Sequence, residues 1–206
     1  LAALPASAQA PAGQAVPAFK SIELRGGGTV TVRHGPVRRV TVRSGGAGRA
    51  IRAEGDKLVI DRCHRPCPAG HRIDVEIVTP AIAGLAVTDG GLIQLSGSFP
   101  PQAEIAAAVS SGGTVDMRPL VAARVAAAVS HGGGILASAG RELAAAVSNG
   151  GIVTYWGDPK VASSIRHGGA VVPGKAADLA RPLARLDPGM PPPPLPPLPP
   201  VPARGH

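Results

Sequence analysis

Aromatic side chains are nearly missing from this chain, with two Phe, one Tyr and one Trp among 206 residues. A core must therefore be filled by Ala, Val, Ile and Leu, and few rings are left to stack on bases or sugars. Cysteine is as scarce. Cys63 and Cys67 are the whole complement, which excludes a scaffold held by several disulfides. No run reaches the ~18 apolar residues that a membrane-crossing helix needs. Acids are outnumbered, 13 against 21 Lys and Arg, for a formal charge of +8. What the chain has is 44% hydrophobic content, enough to bury one core, together with 28 Gly and 23 Pro. The prolines gather toward the two ends and the glycines punctuate the centre.

That punctuation is regular. A glycine pair recurs at Gly90-Gly91, Gly112-Gly113, Gly132-Gly133, Gly150-Gly151 and Gly168-Gly169. Three residues before the first glycine stand Val87, Val109, Val129, Val147 and Ile165; seven before it stand Ala83, Ile105, Val125, Leu143 and Val161. Three after it stand Ile93, Val115, Ile135, Val153 and Val171. Apolar residues alternate within each unit, which is the period of a strand and not of a helix. Steps of 18 to 22 residues are too short for a strand-helix-strand crossover and suit the coils of a β-solenoid, cornered by glycines that adopt positive φ. Stacked coils turn columns into ladders. The column Ile82, Glu104, Arg124, Glu142, Lys160 then sets alternating charges side by side, and Thr88, Ser110, Ser130, Ser148, Arg166 forms a mostly hydroxyl ladder.

The units AAAVSSGG, AAAVSHGG and AAAVSNGG, followed by IRHGGAVV, resemble the bacterial GIN-head domain, a family labelled a putative auto-transporter adhesin head of unknown function. The segments FKSIELRGGGTVTVRHG, GDKLVI and IDVEIVTPAIAGLAV fit its N-terminal part, so the resemblance covers about residues 19–175. It implies an all-β, right-handed parallel β-helix in an exported protein, and it brings no catalytic residues. The expected layout is a solenoid domain over 19–175, with N-terminal strands over 19–80 leading into five repeats over 82–174. With no room for a translocating barrel, the chain is not expected to be a complete auto-transporter.

The flanks are biased in composition. LAALPASAQA resembles the end of a secretory signal peptide over residues 1–10, followed by a linker over 11–18. At the other end Leu179, Leu183 and Leu186, at helical spacing in the segment 176–189, could cover the solenoid's open end despite Pro182. Residues 190–206 include PPPPLPPLPPVP, which favours polyproline II and reads as a stiff spacer or as a ligand for an envelope partner.

The charge is concentrated. Residues 25–72 hold eleven Arg or Lys against three acids. Arg33, Arg39 and Arg43 fall opposite Val32, Val40 and Val42 on alternating strands, a basic face suited to anionic envelope polymers or lipid headgroups. A plain solvated strand face fits as well. Nucleic acid is not expected, since no aromatic residue lies between Lys20 and Arg72.

Cys63-His64-Arg65-Pro66-Cys67, with His71 four residues on, is the one chemically pointed motif. Export to an oxidising compartment favours a Cys63–Cys67 disulfide. A metal site on Cys63, Cys67 and His64 or His71 stays open, although zinc sites usually draw a second ligand pair from well downstream. No cofactor is expected: haem attachment needs C-x-x-C-H and this order is reversed.

Catalysis finds little support. The column Asp89, Ser111, His131, Asn149, His167 holds the residue types of a hydrolytic triad in the wrong order, with Asp89 and His131 two rungs apart, roughly 9–10 Å. Tyr155 and Trp156 are adjacent, so one should face inward and one outward, where a ring could bind a sugar or cap a coil. The sequence therefore points to an exported, non-enzymatic β-solenoid acting in adhesion or interaction. The alternatives are a carbohydrate-active β-helix and a small periplasmic metal-binding protein using Cys63, Cys67 and His71.

Overall fold

A computed structural model describes residues 16–45, 51–61 and 72–179. The signal-like start, Cys63, His64, Cys67, His71, Leu183, Leu186 and the proline-rich tail lie outside the described residues. Fourteen strands and one short helical turn follow in order: β1 Ser21–Arg25, β2 Gly28–His34, β3 Arg39–Ser44, β4 Ile51–Glu54, β5 Lys57–Asp61, β6 Ile73–Thr79, β7 Gly84–Thr88, β8 Leu92–Ser96, β9 Gln102–Ser110, β10 Thr114–Ser130, β11 Gly134–Ser148, β12 Ile152–Trp156, β13 Lys160–Arg166, β14 Ala170–Pro173 and α1 Ala176–Leu179. The fold is all-β, a single curled sheet.

Two parallel ladders run through it. The first is β5-β1-β7-β9, then the second halves of β10 and β11, then β13; the second is β6-β2-β8, then the first parts of β10 and β11, then β12 and β14. Pairing follows the repeat register: Val129 lies between Val109 and Val147, and Ile135 lies between Val115 and Val153. Corner hydrogen bonds carry the ladder past the glycines, as in His131 N to Ser148 O at 3.1 Å and Gly134 N to Gly113 O at 3.0 Å.

Two expectations need correcting. The sheet is mixed and not wholly parallel, because β3 and β4 pair antiparallel with β6 and β5. Nor do the N-terminal strands simply lead in. β1 sits between β5 and β7, and β2 between β6 and β8, so the first coil is sandwiched and the second folds back onto its outer side. One column also slips at its start, where Ile82 is buried and Ala83 exposed. The bend at 79–83 admits this, with Thr79 Oγ1 donating to Ala81 O at 2.9 Å.

The core is the inward set of both ladders: Ile22, Leu24, Val87, Val109, Val129 and Val147 from one, Val30, Ile93, Val115, Ile135 and Val153 from the other, all buried. Ala107, Ala127 and Ala145 fill the middle column. Small residues at these positions let the layer close without aromatic bulk.

The two glycines of a pair differ in role. A Cβ on Gly132 (φ 85°) would meet open space, so that position needs glycine only for its backbone angle. A Cβ on Gly133 would lie 2.6 Å from Gly113 O and 2.7 Å from Val109 Cγ1, so there glycine lets successive corners touch. The left-handed stretch begins one residue earlier than the glycines suggest, since Asp89, Ser111, His131, Asn149 and His167 all have φ between 54° and 60°. Asp and Asn tolerate that region well, Ser and His less so.

Candidate functional site

Strand parity and pairing bring Arg33, Arg39 and Arg43 together. Arg33 on β2 and Arg39 on β3 are both in register with Val78 of the intervening β6, and all three arginines are exposed. Glu76, one outward position along β6, lies between them. Arg33 Nε is 3.3 Å from Glu76 Oε1, and Arg43 Nε donates to Glu76 Oε2 at 3.0 Å, with a second contact through Nη2. The Glu76 hydrogen bond, aided by its charge, raises the Arg43 guanidinium above its ordinary value. Arg39 has no side-chain partner among the described residues. Asp74 lies further along the same outward face of β6, so the face holds three cations against two carboxylates. Spacing alone did not show Glu76 as the anchor, because the β2-β6-β3 adjacency is non-local.

The outward face of the first ladder has a different character. Ala106, Ala126, Ala144 and Ala162 form one exposed row and Ala108, Ala128 and Ala146 a second, ending in Ser164. They floor an apolar groove of about 700 Å³ that runs on past Ala86 and Gly84 to Ser21. Glu104, Arg124, Glu142 and Lys160 line one edge in register, with Arg124 Nη2 donating to Glu104 Oε2 at 3.1 Å. Thr88, Ser110, Ser130, Ser148 and Arg166 line the other.

The corner column is exposed, and among the described residues its one side-chain contact joins His131 Nε2 and Asn149 Nδ2 at 3.3 Å. Asp116 shares its column with Gln94 and Leu136, as the register implies. Its partner is Arg118, whose Nε and Nη2 donate to Asp116 Oδ1 and Oδ2 at 2.8 and 2.6 Å, with both side chains only 6% exposed. Arg118 also donates to Asp178 O of α1 and stacks 5.6 Å from the Trp156 ring. The Asp116 hydrogen bonds, against the opposing pull of burial and aided by the Asp116 and Asp178 charges, raise its guanidinium above the ordinary value. Trp156 is buried, with Nε1 donating to Lys175 O at 2.9 Å, and Tyr155 is partly buried against the core. No helix among the described residues is long and apolar enough to cross a membrane.

No protein-family model matches the chain, and no curated protein matches it. Solved structures do. A putative adhesin from Bacteroides fragilis NCTC 9343 is similar at 14% identity and a TM-score of 0.40, over 79% of this chain and 94% of its own. A putative adhesin from Parabacteroides merdae ATCC 43184 is similar at 11% identity and a TM-score of 0.36, over 80% and 95%. A putative lipid binding protein from Parabacteroides distasonis ATCC 8503 is similar at 12% identity and a TM-score of 0.32, over 80% and 96%.

Proposed function

We propose that this chain is an exported, non-enzymatic interaction module of the GIN-head kind, a right-handed β-helix with antiparallel edge strands that holds its Arg33, Arg39 and Arg43 face toward anionic envelope polymers or lipid headgroups. The carrying observation is the convergence of three exposed guanidiniums from two non-adjacent strands onto one outward face. Glu76 fixes two of them in orientation by taking Arg43 Nε and Nη2 and facing Arg33 Nε, so an incoming sulfate, phosphate or carboxylate meets their remaining Nη donors. Arg39 offers its full charge. The remaining basic residues of the 25–72 segment add long-range attraction.

The test is binding of the full chain to a sulfated polysaccharide and to phosphatidylglycerol vesicles at low and at high salt. Binding should weaken steeply with salt, and Arg33→Gln/Arg39→Gln/Arg43→Gln should reduce it by roughly tenfold or more at low salt. Binding indifferent to both salt and the triple substitution removes the reading.

A further inference from the structure

We propose that the apolar face of the first ladder is a self-association surface, which pairs two copies of this chain about a two-fold axis lying in that face along the strands. The proposal does not depend on the arginine face, which belongs to the other ladder.

Outward strand positions over an apolar core are ordinarily polar. Here the outward floor of β9, β10, β11 and β13 is almost entirely methyl groups, and the groove above it is open. Along this floor Ser164 is the one hydrogen-bonding side chain among the alanines of β9, β10, β11 and β13, so it offers little to a polar ligand and lets a second flat sheet approach closely. The edge charges identify that sheet. From β9 to β13 the column reads Glu104, Arg124, Glu142, Lys160. An axis along the strands reverses the rung order and leaves each column facing itself. Glu104 then meets the second copy's Lys160 and Arg124 meets the second copy's Glu142, with both pairs repeated by symmetry. On the far edge Ser110 meets the second copy's Arg166, and Ser130 its Ser148.

The alternatives match less well. An axis along the stack would face the charged column with hydroxyls and leave it unpaired. Antiparallel pairing through the β13 edge would set Lys160 opposite the second copy's Arg166, a like-charge pair.

Four rungs at ~4.8 Å and seven residues at ~3.3 Å make a face of roughly 440 Å² per copy, about half of a standard interface. The dimer should therefore be weak, with a dissociation constant in the micromolar range or above.

Sedimentation velocity on the full chain, from the micromolar to the millimolar range, reads it directly. We expect a concentration-dependent monomer-dimer equilibrium. Glu104→Lys places two like-charge pairs across the axis and should raise the dissociation constant by roughly tenfold. The exchange Glu104→Lys/Lys160→Glu should restore it. Within one chain that exchange puts like charges on neighbouring rungs, beside Arg124 and beside Glu142, so the melting temperature should fall while the dimer returns. A ladder serving only the monomer would lose stability with no recovery of association. Ala144→Arg, at the centre of the floor, should abolish the dimer, with far-UV circular dichroism confirming that each variant folds. A monomer throughout the range, a dimer indifferent to Glu104→Lys, or a dimer seen only after removal of residues 187–206, which would make the tail the occupant, overturns the proposal.

Discussion

The two ends of the stack are finished in opposite ways. At the β5-β6 end the inward residues are covered: Leu58 and Ile60 of β5 and Ile73, Val75 and Ile77 of β6 are buried, β4 and β3 lie antiparallel along the outer edges, and Arg52–Asp61 and Lys57–Glu23 contacts tie the strands together. At the β13-β14 end no further strand is stacked among the described residues. Val161 and Ile165 occupy the same columns as buried Val125 and Val129, yet they are 41% and 47% exposed, and every residue of β13 is exposed. Identical patterning thus yields core or surface depending only on whether another rung follows. The difference teaches that burial here belongs to the stack and not to the unit.

The largest effect should come from the buried Arg118–Asp116 pair near the open end. Arg118→Leu leaves the Asp116 carboxylate buried without its guanidinium partner and removes the hydrogen bond to Asp178 O, at a cost of roughly 3–5 kcal/mol in urea unfolding. Gly133→Ala, mid-stack, combines backbone strain with a clash against Gly113 O and Val109, for roughly 2–5 kcal/mol, whereas Gly132→Ala meets only the strain, about 1–2 kcal/mol. If the two cost the same, the corners do not touch as described. Next comes a matched pair at the ends. Leu58→Ala should cost roughly 2–4 kcal/mol and Val161→Ala under about 1 kcal/mol, and equal costs would erase the contrast.

The smallest effect concerns pH. The Arg25 hydrogen bond holds the Glu23 carboxyl below its usual 4.5 against the opposing pull of burial, and Lys57 adds to the lowering. A value lower in the folded state gives stability that is present above about pH 4.5 and lost as pH falls through the folded value. Glu23→Gln should therefore flatten part of the acid-side decline in melting temperature, by a shift worth under about 1 kcal/mol.

Much of this was legible in the sequence because the repeat is local. The Gly-Gly spacing located the corners, the alternation gave the inward set, and the charged and hydroxyl columns fall in register as the spacing implies. What the sequence hid is non-local or irregular. Val30 and Val32 alternate like any strand, and nothing in β2 reveals that β6 takes one side and β8 the other. β3 and β4 carry the same alternation as parallel strands, so their direction was invisible. Arg118 pairs with Asp116 at i, i+2 inside β10, where the register shifts between Met117 and Val121, an irregularity that the repeat spacing does not announce. Five non-glycine residues in left-handed geometry could have been suspected from Asn149 and Asp89, which favour it, but not from His131.

Amide hydrogen exchange, resolved strand by strand on the full chain, tests the stack most directly. Protection should be high and similar across β1, β5, β7, β9 and the second halves of β10 and β11, then fall sharply at β13, whose outer edge has no partner among the described residues. Protection in β13 equal to that in β9 at concentrations where the chain is monomeric, or β5 exchanging as fast as β13, would contradict a stack sealed at one end and open at the other.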